Sequence, residues 1–572
     1  MECSFQAEGA RIVPFQRSRT AGGTVSWDRT TDVVVVGSGA AAYAAAATAA
    51  AAGSGVLVLE KAAADGGTTR RSGGGYWIPN NRFMRAAGMH DPRDWALKYM
   101  AKLAYPVQYD PSHPTLGLTP NAYELIEAFF DNAGVAIDHL EAIGALRSMH
   151  DPEQVDYNAD LPEDKAPTGR YLNPAPLVNA GASHGNGEDL IAQMRAGAVR
   201  LGVEVLLEHE VRTCVRDEHG EVVGVEAQTP GGIKRFAARQ GVVFGSGGFF
   251  HNKQMRNDYL RGPVYGGCCV LSNTGDFVRI GVELGADLGN MSQAWWAQVV
   301  FEEVLDNPSP LKNVWMPGGD AMILVNKYGR RVVNEKATYN ERGQVHHFWD
   351  GGKREYPNLL LMLVYDESVH QNPIAYNMRR PIPMPDDNPS WVITGKDWNE
   401  LTSGIRARLE VHAAHTGGYQ LDPSFRSNLE ETVRLFNRYA ADGKDPDFER
   451  GETPIQTYWG SVPRAENKKN PTMYPFSERG PYHCILIAGG GLDTKGGPRT
   501  DSRARVLDQT GRPIPGLYGA GNCVASPAGQ AYWSAGGTLG PAIAFGYIAG
   551  RAVVERPARE PSAALTRVVT RS

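Results

Sequence analysis

The sequence has few features that point to nucleic acid, an oxidising compartment or a metal. Positive charge is not in excess, because 58 Lys and Arg oppose 63 Asp and Glu and the formal net charge is -5. Phosphate backbones are bound through clustered basic residues, so we do not expect nucleic-acid binding. The chain has only six cysteines in 572 residues, and none has metal-ligand spacing. This pattern favours a reducing cytoplasm and no metal site, and it indicates packing instead of a disulfide for the adjacent Cys268 and Cys269.

Long hydrophobic runs are also missing. Residues 1–23 lack the apolar core of a secretory signal. The Ala-rich stretch from Ala40 to Ala52 is shorter than the roughly 20 residues that span a bilayer, so it predicts a buried helix. No segment requires membrane association, although the region from 291 to 488 would permit it. With 42% hydrophobic residues, the chain is long enough to build more than one core.

The most informative feature is a strand, glycine turn, helix and strand near the N-terminus. The β-branched run Asp32 to Val36 predicts a buried parallel strand, and Gly37-x-Gly39-x-x-Ala42 then opens the Ala-rich helix. The next strand, Val56 to Leu59, ends at Glu60. Gly37 permits the tight turn, Gly39 lets the backbone approach a pyrophosphate, and Glu60 is placed to accept hydrogen bonds from ribose hydroxyls. The unit predicts a Rossmann-type dinucleotide site with phosphates at the helix N-terminus.

Further glycine clusters, near residues 66, 247, 521 and 537, favour FAD over NAD. The ribityl chain and flavin ring need additional close backbone approaches, and no second Gly-x-Gly-x-x-Gly follows a strand. We therefore predict non-covalently bound FAD and no separate nicotinamide site. The residues predicted to bind it are Gly37, Gly39, Ala40, Ala41, Glu60, Lys61, Gly67, Thr68, Thr69, Ser72, Gly73, Gly74, Val211, Ser246, Gly247, Gly248, Asn273, Asp276, Gly521, Asn522, Gly537, Thr538 and Leu539.

The glycine clusters bracket a middle segment that is richer in Trp, Pro and charge. The sequence thus predicts an α/β protein (α+β overall), with a Rossmann-type FAD-binding domain and an inserted catalytic domain. The Pro-rich stretch from Pro373 to Pro389 predicts a surface loop. The expected division is an arm at 1–27, FAD-binding parts at 28–290 and 489–556, the inserted domain at 291–488, and a tail at 557–572.

Between Trp27 and Val554 the chain resembles the 3-ketosteroid dehydrogenases, a family of fumarate-reductase-type flavoproteins. The resemblance rests on stretches such as VVVVGSGAAAY, VVNEKATY, LDTKGGPRTD and AYWSAGGTLGPAIAFGYIAG. It implies that Tyr339, in the N-E-x-x-x-Tyr element, is the catalytic base. It also implies that Tyr532 and Gly536 bind the substrate carbonyl and that Tyr157, in an Asp-Tyr pair, assists Tyr339. A 3-ketosteroid substrate and an external electron acceptor are implied as partners.

Such a site must remove a proton and a hydride from neighbouring carbons of a ketone. A double bond forms beside a ketone when a base removes the α-proton, donors hold the carbonyl oxygen and the β-hydride passes to flavin. Tyr339 as phenolate requires a pKa lowered from the usual value of about 10. Tyr532 hydroxyl and the Gly536 N–H are the expected donors.

Several alternatives stay open. Family members that form the Δ1 bond commonly carry Pro and Gly where this chain has Trp533-Ser534-Ala535, and Ser534 resembles the Δ4-(5α) branch. A fumarate-reductase-like ene-reductase is disfavoured, because no arginine lies beside the C-terminal glycines and the NKYGRR segment predicts a surface turn with Arg330 and Arg331. A flavin-binding redox sensor without turnover is the remaining rival. The tryptophans at 295, 296 and 533 suggest a wide apolar pocket.

Overall fold

The computed structural model describes residues 26–179, 181–371, 380–387, 389–460, 464–560 and 565–566. Most of the predicted arm and parts of the Pro-rich segment and the tail lie outside these residues. The strands are β1 Arg29–Val36, β2 Val56–Leu59, β3 Tyr76–Trp77, β4 Ser148–Asp151, β5 Tyr171–Pro174, β6 Glu204–Leu206, β7 Glu210–Asp217, β8 Val222–Thr229, β9 Gly232–Phe244, β10 Gly266–Gly267, β11 Leu288–Gly289, β12 Ala294–Val300, β13 Met322–Val325, β14 Leu360–Asp366, β15 Ile393–Gly395, β16 Tyr482–Thr494, β17 Gly497–Pro498, β18 Arg505–Leu507, β19 Pro513–Gly519 and β20 Leu565–Thr566.

Helices cover both sheets and connect their strands. They are α1 Ala40–Ala51, α2 Gly67–Arg71, α3 Arg82–Ala86, α4 Arg93–Ala104, α5 Pro120–Ala142, α6 Gly187–Arg200, α7 Lys253–Tyr259, α8 Asp276–Leu284, α9 Phe301–Asp306, α10 Tyr339–Gln344, α11 Glu367–His370, α12 Trp398–Val411, α13 Ala413–Thr416, α14 Phe425–Asp442, α15 Pro454–Gly460 and α16 Leu539–Val554. Short 3-10 turns span Val345–His347 and Gly521–Cys523. None of the helices in the described part of the chain is long and apolar enough to cross a membrane.

The first sheet is built around the predicted strand, turn, helix and strand unit. Strand β1 pairs in parallel with β2 on one side and with β9 on the other, and β19 lies parallel to β9. The order is β20-β7-β8-β9-β1-β2-β6, with β18 joined to β19. Both N-terminal and C-terminal segments therefore build this sheet, and the mixed α/β class predicted from the sequence is confirmed.

Helix α1 is buried because its side chains are small. Residues Ala40 to Ala49 are all buried, and α16 packs closely on them. A Cβ added at Gly546 would come within 2.4 Å of the Ala41 carbonyl oxygen, so this close helix approach needs glycine there. The Ala-rich sequence thus places the N-terminus of α1 in the interior, beside the ends of β1 and β9.

The second sheet is organised by the long strand β16. It pairs with β10, β12, β14 and β15, and β13 pairs with β14 at the edge. Its sequence YHCILIAGGGLDT is almost entirely buried, as expected of a central strand. Strand β16 crosses the predicted boundary at 488/489, and its last residues reach the first sheet's glycine loops. The exact domain division stays a prediction.

Candidate active site

The glycine turn after β1 has the geometry that a dinucleotide needs. Gly37 adopts a φ of +99°, and a Cβ there would lie 2.6 Å from the Gly245 carbonyl oxygen. Gly39 supplies no side-chain cap to α1. The Ala40 N–H donates to Thr69 Oγ1 at 3.2 Å, whereas the next two N–H groups have no acceptor among the described residues. A buried helix N-terminus with unused donors fits the pyrophosphate of a dinucleotide.

Glu60 lies at the end of β2, close to this turn. Its carboxylate accepts hydrogen bonds from Ser38 Oγ at 2.6 Å and from the Ala62 N–H at 2.8 Å. The residue is 8% exposed. Because a carboxylate has about four acceptor positions, these two bonds orient Glu60 and leave acceptor capacity for ribose hydroxyls. Val211, a predicted contact in β7, belongs to the apolar cluster that includes Val36 and Leu59 at the same strand ends.

The second glycine cluster is joined to the loop before α8. Lys61 Nζ contacts Asp276 Oδ2 at 2.6 Å, and Thr68 Oγ1 accepts from Asn273 Nδ2 at 3.1 Å. Further predicted residues hold the turn of α2, since Ser72 Oγ donates to the Thr69 carbonyl at 2.7 Å. The structure therefore brings together residues that are about 200 positions apart in the sequence.

The C-terminal predicted residues meet the same region. Gly521 lies against Ala41 of α1, and Gly247 lies against the Asn273 side chain. Thr538 and Leu539 form the N-terminus of α16, which has no side-chain cap. A cavity in this part of the protein is lined by Trp295, Gly521, Asn522 and Thr538, among other residues. These contacts support the predicted arrangement, although each residue's role in binding stays a prediction.

Three tyrosines from distant segments form one buried cluster beside these loops. The hydroxyls of Tyr157 and Tyr339 are 2.7 Å apart and share a hydrogen bond. The Tyr532 ring lies 5.5 Å from the Tyr157 ring and 5.2 Å from the Tyr339 ring, between centroids. All three are at most 5% exposed. The three tyrosines named by the family resemblance are therefore neighbours in space.

Tyr339 is held by the preceding Asn-Glu-Lys-Ala-Thr segment. Glu335 is fully buried and pairs with Arg331 at 2.8 Å and Arg450 at 3.1 Å. Burial alone would raise the pKa of Glu335, but the two guanidinium groups outweigh it and lower the pKa to about 2. Lys336 Nζ binds the carbonyls of Pro317 and Gly319. These buried contacts fix the backbone from which Tyr339 opens α10.

Tyr157 is fixed by its neighbour Asp156. The Asp156 carboxylate accepts from Trp77 Nε1 at 2.8 Å and Arg170 at 2.6 Å. Arg170 is fully buried and also pairs with Asp91 and Asp164. Burial raises the pKa of Asp156, although the Arg170 guanidinium opposes this shift. The Asp-Tyr pair thus belongs to a buried ionic network that holds the Tyr157 backbone in place.

Gly536 leaves a donor free near Tyr532. Its φ is +78°, and a Cβ would lie 2.6 Å from the Tyr76 Cα, so only glycine fits. The Gly536 carbonyl accepts from the Trp77 N–H at 3.1 Å. Its own N–H has no acceptor among the described residues. This N–H and the Tyr532 hydroxyl are therefore the two candidate donors to a substrate carbonyl.

The pKa of Tyr339 differs from the lowered value expected from the sequence. Burial, together with the neighbouring tyrosines, raises the pKa of Tyr339 well above 10 instead of lowering it. Burial also raises the pKa of Tyr157 and brings that of Tyr532 to about 12. The protein residues around Tyr339 therefore keep its hydroxyl protonated at neutral pH.

Two other expectations are corrected. The Arg331 side chain does not lie on the surface, because it is 5% exposed and pairs with Glu335 and Asp445; Arg330 is exposed as expected. Among the three tryptophans expected in the pocket, only Trp295 contacts a cluster tyrosine, 5.0 Å from Tyr532. Trp296 and Trp533 are fully buried and pack against other core residues.

Sequence reasoning also missed residues around the cluster. Trp315 and Trp459 pack on Tyr339 at centroid distances of 5.0 and 6.3 Å, and no motif marks either one. Asp493, in the LDTKGGPRTD stretch, was also missed; its carboxylate accepts hydrogen bonds from Gly248, Asn273 and Asn522. Cys268 and Cys269 are free thiols, as predicted.

Comparison with known proteins shows the class of enzyme to which the chain belongs. A family model described as an FAD binding domain matches residues 32–539, which include the glycine turn and both ends of the site. The protein is an FAD-dependent oxidoreductase with FAD as its cofactor. The prediction of FAD from the glycine clusters is confirmed.

Individual relatives show which FAD-dependent oxidoreductases the chain is similar to. The chain is 33% identical over 542 residues to a 3-oxosteroid 1-dehydrogenase of Mycolicibacterium smegmatis, covering 83% of this chain and 88% of that protein. The structure of 3-ketosteroid delta1-dehydrogenase from Sterolibacterium denitrificans in complex with 1,4-androstadiene-3,17-dione has a TM-score of 0.76 and 28% identity, covering 92% of this chain and all of that one. A 4-oxocyclohexanecarboxylate 2-dehydrogenase of Sinomonas cyclohexanicum is 32% identical over 380 residues; the match covers 65% of this chain and spans 61% of that relative's length.

The chain belongs to the 3-ketosteroid dehydrogenase family. The resemblance inferred from the sequence is therefore confirmed.

Replacement of Glu60 by Ala tests the ribose assignment. We expect FAD affinity to fall roughly 10-fold to 100-fold, because a charged acceptor of hydrogen bonds is lost. Titration of the apoprotein with FAD, followed by flavin fluorescence, measures the change. Glu204→Ala is the control, because Glu204 pairs with Arg29 at an exposed edge of the same sheet. Unchanged affinity in Glu60→Ala would remove Glu60 from the FAD site.

Proposed function

We propose that this protein is a 3-ketosteroid dehydrogenase that introduces a Δ1 double bond into ring A of its substrate. The observation that carries the proposal is the tyrosine cluster, in which a hydrogen-bonded pair, Tyr157 and Tyr339, lies beside Tyr532. Supporting evidence comes from relatives named 3-oxosteroid 1-dehydrogenase and from the neighbour solved with 1,4-androstadiene-3,17-dione.

The proposed roles follow from position and chemistry. Tyr532 hydroxyl and the Gly536 N–H donate hydrogen bonds to the 3-keto oxygen, which acidifies the proton on C2. Tyr339 takes that proton on its phenolic oxygen, and Tyr157 donates a hydrogen bond that stabilises the phenolate. FAD, when bound, accepts the hydride from C1. The substrate thus loses one proton and one hydride, and an external acceptor of unidentified chemistry reoxidises the cofactor.

The arginine considered for the fumarate-reductase-like alternative is not free to bind a carboxylate. Arg331 is committed to Glu335 and Asp445, and aromatic residues, including Trp295, Trp315 and Trp459, pack on the tyrosine cluster. Uncommitted guanidinium groups would be needed to bind a small dicarboxylate. An apolar, neutral ring ketone suits these walls better.

A substrate panel tests the proposal. Purified holoenzyme with an artificial electron acceptor should convert 4-androstene-3,17-dione into 1,4-androstadiene-3,17-dione, as identified by mass spectrometry and NMR. With 5α-androstane-3,17-dione, a new bond at C1–C2 supports Δ1 chemistry, whereas a bond at C4–C5 would assign the Δ4-(5α) reaction. If only 4-oxocyclohexanecarboxylate were turned over, the proposed substrate would change from a steroid to a smaller ring ketone. Fumarate reduction by a reduced dye, without steroid turnover, would overturn the proposal.

The pH dependence of turnover should reflect the raised pKa of Tyr339. A base acts only when deprotonated, so below its pKa the active fraction falls tenfold for each unit of decreasing pH. Because burial raises this pKa above 10, kcat/KM should increase with a slope near one from pH 6.5 to 9 and show no plateau in that range. Flavin absorbance at each pH controls for loss of FAD. A plateau at neutral pH would mean that Tyr339 phenolate is not the base.

A further inference from the structure

The end of strand β16 joins the second sheet to the FAD-binding loops. Asp493 Oδ2 accepts hydrogen bonds from the Gly248 N–H at 3.0 Å, Asn273 Nδ2 at 2.7 Å and Asn522 Nδ2 at 3.1 Å. Asp493 Oδ1 accepts from the Thr494 N–H at 2.8 Å. Three of these donors belong to residues predicted to bind FAD, and they come from segments 29, 220 and 245 positions away in the sequence. One carboxylate therefore connects the separate segments of the site.

Adjacent residues on the same strand end make similar contacts. Thr494 Oγ1 accepts from the Phe249 N–H at 2.8 Å, and Lys495 Nζ donates to the Ala531 carbonyl at 2.7 Å, directly before Tyr532. A Cβ added at Gly248 would lie 2.4 Å from Asp493 Oδ1. The loop around Gly248 is thus packed directly onto this strand end.

The charge of Asp493 is unusual for its position. The residue is 1% exposed, and within the described part of the chain no Lys, Arg or His forms an ion pair with it. Burial raises the pKa of Asp493 to about 6, while its hydrogen-bond donors limit the rise, so the carboxylate is ionised at pH 8. Burial of a carboxylate without an opposite charge carries a desolvation cost, which the N–H donors around Asp493 offset in part.

We propose that Asp493 is a positioning residue of the FAD site, which holds Gly248, Asn273 and Asn522 in their binding arrangement and lowers the midpoint potential of bound FAD through its negative charge. A negative charge in a medium of low dielectric constant disfavours the addition of electrons nearby. The inference rests on FAD binding and is independent of the substrate.

Two substitutions separate the charge from the hydrogen bonds. Asp493→Asn keeps one accepting oxygen and removes the charge, so we expect FAD to remain bound and the midpoint potential at pH 8 to rise. Asp493→Ala removes every acceptor, and the FAD dissociation constant should increase at least tenfold. Potentiometric titration with reference dyes and fluorescence titration of the apoprotein measure the two effects. Asp287→Asn is the control, because Asp287 forms an exposed ion pair with Arg499.

The pH dependence gives a readout that a purely structural role would not change. Amide groups of Asn273 and Asn522, backbone N–H groups and the thiols of Cys268 and Cys269 lie around the carboxylate. Burial raises the pKa of both thiols, so they remain neutral below pH 8. The potential difference between wild type and Asp493→Asn should therefore be largest at pH 8 and shrink as the pH falls below 6.

The two variants test the electrostatic role and the positioning role of Asp493 separately. Equal potentials for wild type and Asp493→Asn at pH 8 would overturn the electrostatic role. Wild-type FAD affinity in Asp493→Ala would overturn the positioning role. If neither substituted chain folds, the wild-type protein alone tests the proposal. The slope of the midpoint potential of its bound FAD against pH must change near pH 6 relative to the slope for free FAD. An unchanged slope would reject the proposal.

Discussion

Replacement of Tyr339 by Phe should lower kcat by about 10²-fold to 10⁴-fold, the usual contribution of a general base. The hydroxyl removed is the one that lies 2.7 Å from the Tyr157 hydroxyl. The ring remains packed between Trp315 and Trp459, so KM for the steroid should change only a few-fold. Steady-state kinetics with an artificial electron acceptor measure both constants. FAD content should match wild type, because the substitution removes only the hydroxyl and leaves the ring packing unchanged.

A second measurement isolates the proton transfer. Wild-type enzyme should exchange deuterium from C2 of the bound steroid with water, and Tyr339→Phe should lose this exchange together with turnover. Tyr419→Phe is the matched control, because its buried hydroxyl donates to the carbonyls of Pro357 and Leu360, away from the cluster. Near wild-type turnover in Tyr339→Phe would exclude Tyr339 as the base and direct attention to Tyr157.

Replacement of Tyr532 by Phe should reduce kcat/KM by about 10²-fold to 10³-fold, as for the loss of one oxyanion donor. The ring still packs against Trp295 and Tyr157, so the fold of the cluster and the FAD content should be preserved. The Gly536 N–H remains as the second donor, which explains why some activity should survive. Because the donor acts on the developing charge, the loss should fall mainly on kcat.

The matched control for Tyr532 is Tyr76→Phe. Tyr76 is also fully buried, but its hydroxyl donates to Ser148 Oγ in β4 at 2.6 Å. We expect this variant to lose thermal stability and to keep its kcat. If Tyr532→Phe behaved in the same way, the carbonyl would have to be held by other groups. The double variant with Tyr339→Phe should lose less than the product of the two single effects, because both residues act in one step.

The FAD-binding fold could be predicted from local sequence because its signals are local. The β-branched run, Gly37, Gly39 and the Ala-rich helix lie within about 20 consecutive residues, and the bounds of β1, α1 and β2 follow them closely. The glycine clusters could also be recognised from local sequence, because two backbones can approach closely only where a residue has no side chain. The tyrosines needed the family resemblance, because nothing local distinguishes Tyr339 from the other tyrosines.

What could not be predicted depends on contacts between distant segments. Arg331 looks like part of an exposed turn until Glu335 and Asp445 are seen beside it. Asp493 follows a buried strand, and only the folded chain shows that its partners are Gly248, Asn273 and Asn522. The direction of the Tyr339 pKa shift likewise follows from burial among other tyrosines, which is a property of the assembled site.

The continuity of β16 also limits how this protein could be divided. The strand pairs with four others in the second sheet. Its residue Asp493 accepts a hydrogen bond from the Gly248 N–H, and Lys495, directly after the strand, binds the Ala531 carbonyl. A shortened chain that joins residue 290 directly to 489 would keep Asp493 and the partner strand β10 but lose the partner strands β12, β14 and β15. Such a fragment should fail to retain FAD, so we expect FAD binding to depend on the segment between residues 291 and 488.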